Sequence, residues 1–291
     1  RMALTCAGTG TTVTDDSILS ASTRLALLVR GVTVGGQELR VQVPPAYAPE
    51  SPAPLVLLLH GFGPEGGRGA EGYLRLTPLA DAHGFLYAFP DGPFIDASGF
   101  RFWIGFQRRD LDEPGSTYLL EIIETVKASY NVDPQRVYLV GYSNGAFKAY
   151  HMACTHGNTI AAIVSLEGGM LETRECPAVS PVHILHIHGT SDEVVGYDGG
   201  TVNGQPVLSA AATIERWAAF DGCAFDGQVG PPLNLEIGIP GNETTVTRYE
   251  SGCHPGGSAE LWTIWGGSHF PRLSPEFGPG VVDWLLAHPK P

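Results

Sequence analysis

Five short apolar runs, each closing on a glycine-bearing turn, constrain this chain more than any other feature: "PLVLLLHG" (54–61), "GFLYAFPDG" (84–92), "RVYLVGYSNG" (136–145), "IAAIVSLEGG" (160–169) and "VHILHIHGTSD" (182–192). Each is apolar on both faces, the pattern of strands buried in a parallel sheet whose C-terminal ends open into loops. Helical patterns lie at 71–83, 115–130, 144–156, 208–220 and 275–288. Alternating strand and helix predicts an α/β fold, a mostly parallel central sheet with helices on both faces and ligands at the carboxyl edge of the strands. Upstream, "RLALLVRGVTVGGQELRVQVP" places Gly35-Gly36 between two alternating runs and predicts a β-hairpin. Residues 221–257, rich in Gly and Pro with few periodic positions, read as a surface excursion. No internal repeat or long linker divides the chain, so one domain is expected over 23–291, preceded by an N-terminal extension at 1–22.

Charge narrows the partners. A formal charge of −13 on 291 residues gives an acidic surface that repels nucleic acid and anionic membranes. No apolar run reaches the roughly 18 residues that a spanning helix needs. The expected state is a monomer whose partner is a small-molecule or polymeric substrate. The first residues carry no apolar signal core after a positive region, and are compatible with the trimmed remainder of an exported precursor.

"GYSNG" (141–145) sits where a predicted strand becomes a predicted helix, the context of a G-x-S-x-G nucleophile elbow. Such a turn strains the nucleophile's backbone and needs small neighbours, here Gly141 and Gly145, so that helix and strand can approach closely. An ordinary turn is the competing reading for Ser143. A serine hydroxyl needs a base, and in this kind of fold the partners follow in the order Ser, acid, His. Asp192 follows a predicted strand in "HIHGTSDEVV", with Glu193 and Asp198 as nearby competitors, and His269 follows another in "LWTIWGGSHF". The catalytic expectation is therefore Ser143, Asp192 and His269. For the oxyanion, the N–H groups of Asn144, after the nucleophile, and of Phe62, in "LLLHGFG", are the expected donors.

Other histidines compete for attention. His183, His186 and His188 form an H-x-x-H-x-H cluster, but without a third ligand at suitable spacing they read as core and strand-end residues, and no metal site is expected. His151 and His156 read as polar-face residues of the helix after the elbow. Aromatic residues supply the only substrate clue: Phe62, Trp103, Trp265 and Phe270 are the candidate substrate-binding side chains, with Phe102 close by. A core reading competes for all of these rings, and for Trp262 and Trp265, which share one strand pattern, it is the better one.

Five cysteines show no C-x-x-C spacing. Cys154–Cys176 and Cys223–Cys253 are the pairs to draw, leaving Cys6 over; five reduced thiols are the alternative.

Taken in order, "PLVLLLHGFG", "RVYLVGYSNGAF", "HIHGTSDEVV" and "WGGSHF" resemble the esterase branch of α/β-hydrolases that contains polyhydroxybutyrate depolymerases and feruloyl esterases. The similarity extends over nearly all of 30–290, including "LADAHGFLYAFPDG", "FW" at 102–103 and "DGC" at 221–223. It implies a Ser143–Asp192–His269 triad, disulfides in an exported, secreted or periplasmic enzyme, and no cofactor. This chain has SNGA where relatives often have SNGG, GGSH where they often have GGGH, and "IGFQRRDLDEPG" after "FW" departs from the family pattern. The leading expectation is a serine carboxylic-ester hydrolase acting on polyhydroxyalkanoate-like or synthetic aromatic polyester. A feruloyl or acetyl esterase of plant polysaccharide and a non-catalytic binding protein of the same fold are the alternatives.

Overall fold

A computed structural model describes residues 29–34, 37–103, 114–173, 176–178 and 180–291. The extension at 1–22, Cys6, the Gly35-Gly36 turn and most of the divergent stretch after "FW" lie outside the described residues.

Strands β1 (Val29–Val34) and β2 (Gln37–Gln42) pair antiparallel, as the hairpin pattern predicts. Next come β3 (Ala53–Leu59), helices α1 (Gly66–Leu74) and α2 (Thr77–His83), and β4 (Leu86–Ala88). A two-stranded ribbon, β5 (Phe94–Ile95) and β6 (Arg101–Phe102), precedes α3 (Pro114–Ser129). The chain continues through β7 (Val132–Tyr142), α4 (Asn144–His156), β8 (Ala162–Leu166) and β9 (His183–Gly189). A ribbon of β10 (Gly200–Val202) and β11 (Gln205–Val207) leads to α5 (Ala210–Phe220). Strands β12 (Gln228–Val229), β13 (Thr244–Tyr249) and β14 (Ser258–Ile264) and helix α6 (Phe277–Leu286) complete the order.

Among the described residues the main sheet has ten strands in the order β1-β2-β4-β3-β7-β8-β9-β14-β13-β12. From β4 to β14 every neighbouring pair is parallel, and the pairs at both edges are antiparallel. Alternate residues of the central strands supply two cores. Leu55, Leu57 and Leu59 of β3 pack with Leu119 and Ile122 of α3, Ala149 and Met152 of α4, and Ile214 and Trp217 of α5. Val56 and Leu58 face the other way, toward Ala70 and Leu74 of α1, Ala80 of α2, and Phe277 and Val281 of α6. All seven residues of β3 are buried, which is why the run carries no polar alternation.

Three expectations are corrected. The pattern at 71–83 is two helices, not one: Arg75 caps α1 in the left-handed region at φ 54° and Pro78 opens α2. The run at 84–92 yields only the three-residue β4. The supposed surface excursion contributes β12 and β13 to the main sheet, with Val246 buried between exposed or half-buried Thr245 and Thr247. Its period-two alternation is confined to "TTVTRY" and is masked by the Gly and Pro that flank it.

Candidate active site

Parallel strands bring their C-terminal ends to one rim, and the residues singled out in the sequence lie there. The β3 loop carries Phe62, β7 runs into Ser143, β9 leads to Asp192, and the loop after β14 carries His269.

Ser143 adopts φ 51° and ψ −115°, a conformation that costs an L-residue about 1–3 kcal/mol and persists only where the surroundings impose it. Its N–H donates to Leu166 O at 2.9 Å, and Ser143 O accepts from Ala146 N–H at 2.9 Å, so strand β8 and helix α4 hold the turn from both sides. The glycine requirement is steric. A Cβ on Gly145 would collide with Leu59 O, and one on Gly141 would lie 2.6 Å from Ala146 Cα. Ala146 is fully buried, and the space for its methyl comes from Gly168, whose own Cβ would collide with it.

Ser143 Oγ lies 2.9 Å from His269 Nε2, and His269 Nδ1 lies 2.8 Å from Asp192 Oδ2. Asp192 Oδ1 accepts the N–H groups of Val194 and Val195, each at 2.8 Å. Burial by itself would push the Asp192 carboxyl up; hydrogen bonds from His188, His269 and the Val195 N–H outweigh it and hold the group well below the usual carboxylate range. The competitors Glu193 and Asp198 are both exposed. The base loop is tied down from outside: Tyr142 O–H donates to His269 O at 3.0 Å and Tyr73 O–H to Pro271 O at 2.7 Å. Ser268, where relatives often have glycine, accepts the Phe270 N–H at 3.4 Å.

The loop after β3 passes close to Ser143, since a Cβ on Gly61 would lie 3.3 Å from Ser143 Cβ. His60 shapes it. Its Nε2 accepts the Gly92 N–H at 2.7 Å, so Nδ1 carries the hydrogen and donates to Gly61 O at 2.6 Å. Burial lowers the His60 pKa and keeps the ring neutral in this role. Asn144 is the first residue of α4, where no preceding helical carbonyl is available to its N–H.

The aromatic candidates divide. Phe62, Trp265 and Phe270 are 54%, 55% and 62% exposed and lie in the loops beyond the carboxyl ends of β3 and β14. Trp103 is corrected: its ring is 1% exposed and packs on His60, so it offers its backbone, not its face, to the site. Trp262 is core, while Trp265 lies one residue beyond β14 and is held by its Nε1–H on Thr245 Oγ1 at 3.1 Å.

Among the histidines, His186 and His188 are buried, with His186 Nε2 3.0 Å from His188 Nδ1, whereas His183 contacts Ser258 at the other end of β9. His151, expected on a polar face, is 2% exposed, set with Phe147, Met170 and Leu171 around a small apolar cavity. Two participants escaped the sequence reading. The side chain of Asn144 bonds to Trp103 backbone atoms, and Glu167, at the end of β8, reaches the Asp192 neighbourhood. A non-glycine residue just past a buried strand and before two glycines was the available signal for Glu167.

A parallel-centred sheet with a strained serine between strand and helix, and an acid and a histidine after later strands, defines the α/β-hydrolase fold. The acetyl xylan esterase from Aspergillus awamori has that fold and superposes with a TM-score of 0.63 at 18% identity, over 88% of this chain and 98% of that one. The chain belongs to the esterase family described as Esterase PHB depolymerase, which matches residues 39–215. Feruloyl esterase B of Piromyces equi is 28% identical over 253 residues, 84% of this chain and 43% of that protein. The bifunctional acetylxylan esterase/xylanase XynS20E of Neocallimastix patriciarum is 33% identical over 163 residues, 56% of this chain and 22% of that protein. The chain thus spans less than half the length of these two curated relatives.

Proposed function

We propose that the protein is a serine carboxylic-ester hydrolase working through Ser143, His269 and Asp192. The observation that carries this is the unbroken line from Ser143 Oγ through the imidazole to Asp192, at 2.9 and 2.8 Å, built on a strained elbow. In the first step Nε2 of His269 takes the Ser143 proton as Oγ bonds to the ester carbonyl carbon, and Asp192 stabilises the imidazolium through Nδ1–H. The carbonyl oxygen, now an anion, receives the N–H groups of Asn144 and Phe62. Collapse expels the alcohol, which leaves with the proton from Nε2. Water, deprotonated by the same nitrogen, then attacks the acyl-enzyme and releases the carboxylic acid.

For substrate, the exposed rim of Phe62, Trp265 and Phe270 supports an extended, weakly polar ester chain lying across the serine, as a polyhydroxyalkanoate-like or aromatic polyester would. A second reading, a feruloyl or acetyl ester of plant polysaccharide, is supported by the names of the relatives. Two disulfides support residence in an oxidising compartment, outside the cytosol.

A fluorophosphonate tests the chemistry: one equivalent should label the wild type and none Ser143→Ala, and unlabelled wild type would reject the proposal. A panel of short nitrophenyl esters, methyl ferulate and polyester film tests the substrate. Activity confined to ferulate would remove the polyester reading.

A further inference from the structure

Beneath the histidine lies a second buried carboxyl that the reaction above does not use. Glu167 is 0% exposed and follows β8, the strand beside the one that carries Ser143. Its backbone takes φ 51°, a left-handed conformation that the next residue, Gly168, could have borne without strain. That conformation, with Glu167 N–H donating to Ile187 O at 3.0 Å, turns the side chain in under the rim. Both carboxyl oxygens lie 3.1 Å from the Gly189 N–H. One oxygen of Glu167, one of Asp192 and a nitrogen of His188 all lie within 4.8 Å of one another, every one of them buried.

We propose that Glu167 is a positioning residue of the hydrolytic site: a neutral carboxylic acid that keeps its proton through the cycle and donates it to Asp192. The inference rests on the triad reading above. It follows from counting charge. Asp192 faces His269 through Oδ2 and two backbone N–H groups through Oδ1, surroundings built for an anion. The titratable groups facing Glu167 are His188, Asp192 and Glu193 from β9 and its following turn, Tyr142 from β7 and Tyr73 from α1. Among the described residues only His188 of these could bring a positive charge, and its Nε2 is shared by Val195 O at 2.8 Å, Asp192 Oδ2 at 3.2 Å and Glu167 Oε2 at 3.5 Å. Before attack, when His269 must be free to take a proton, His188 alone can balance at most one of two carboxylates whose side chains are both fully buried. Desolvation first, and then Asp192, push the Glu167 carboxyl well up, with the single Gly189 N–H opposing them. The proton therefore stays on Glu167, and Asp192 gains a donor that restrains its free lone pairs. Asp192, so restrained, holds the imidazole in the orientation that attack requires.

Infrared difference spectra of the whole protein read this directly. Wild type at neutral pH should show the carbonyl stretch of buried protonated acid in two parts, one lost in Glu167→Gln and the other, from Asp221, lost in Asp221→Asn. Because this signal does not depend on turnover, it separates failure of the inference from failure of the triad, which fluorophosphonate labelling tests. Glu167→Gln keeps a donor of nearly the same shape, so its kcat should stay within about threefold of wild type, with the acid limb of the pH profile unmoved. Glu167→Ala should lower kcat by about 10- to 100-fold with little change in KM, the scale of a mispositioned catalytic group. A wild-type acid band left unchanged by Glu167→Gln would overturn the proposal, as would a Glu167→Gln acid limb displaced to lower pH, the sign of a lost anion. Stoichiometric metal that survives a chelator would also overturn it, since a cation would then take the place of the proton.

Discussion

Asn144 and Trp103 hold each other by two reciprocal hydrogen bonds: Trp103 N–H donates to Asn144 Oδ1 at 2.7 Å, and Asn144 Nδ2–H donates to Trp103 O at 3.0 Å. Asn144 thus fastens a segment 41 positions earlier to the elbow. A buried backbone group left without its partner costs about 1–3 kcal/mol, and each 1.4 kcal/mol in a barrier is roughly tenfold in rate. Asn144→Ala should therefore reduce kcat/KM by about 10- to 100-fold and lower Tm. Asn144→Asp, which keeps the acceptor for Trp103 N–H, should recover part of both. Steady-state kinetics on a short nitrophenyl ester with parallel melting curves check this, and wild-type behaviour of the alanine variant would show the clamp to be idle.

Strain at Ser143 predicts a split between stability and activity. Ser143→Gly relieves a positive φ that glycine tolerates, so melting should show a gain of about 1 kcal/mol while turnover disappears. Ser143→Ala keeps the strain and loses turnover by about 10⁶-fold. Equal melting temperatures for the two variants would mean that the elbow stores nothing.

Stability should decline from the acid side of neutral toward alkaline pH. Burial, chiefly, pushes the Asp221 carboxyl up to about 8 against the pull of Val182 N–H, Trp217, Ser258 N–H and Lys290. A carboxyl raised in the folded state favours folding while it is protonated, and that contribution fades as pH climbs from about 4 to about 8. Asp192, lowered in the folded state, works the other way: its contribution is complete above about 4 and drains away below it. Thermal melts across this range should fall on the alkaline side in wild type and less steeply in Asp221→Asn, Glu167 being raised in the same direction. A steep alkaline decline retained by the asparagine variant would assign the effect elsewhere.

Two disulfides join Cys154 to Cys176 and Cys223 to Cys253, closing loops with separations of 22 and 30 residues. Loop-closure entropy at these lengths is worth about 3–4 kcal/mol each. Paired replacement by serine at either bridge should lower the unfolding free energy on that scale in urea titrations. Thiol counting in denaturant should rise from one group to five upon reduction, the single one being Cys6. Five reactive thiols without reductant would contradict both bridges.

Much of this arrangement was legible because its cause is local. Strands such as Leu55–Leu59 are covered on both sides, so they read as unbroken apolar runs, and the elbow needs glycine on each side of Ser143 for reasons that bear on the residues themselves. What was hidden depends on distant partners. β13 carries one buried Val246 among threonines, a signal too brief to outweigh the Gly and Pro around it. Trp103 and Trp265 look alike as letters beside a cleft, yet one is sealed against His60 and the other stands in solvent. Glu167 resembles an ordinary turn residue until β9 is laid beside β8 and sets Asp192 next to it.

The methyl of Ala146 occupies the hollow that Gly168 leaves open. Two positions 22 apart thus share one vacancy, and whichever is filled dictates that the other stay bare. A chain that moves glycine to the elbow helix removes the 2.4 Å collision at 168 and leaves the milder 3.0 Å approach to Ser143 O, so the pair should trade as a unit. Ala146→Gly together with Gly168→Ala is then the exchange that descent could make in either direction, whereas Gly168→Ala alone would jam the nucleophile's turn.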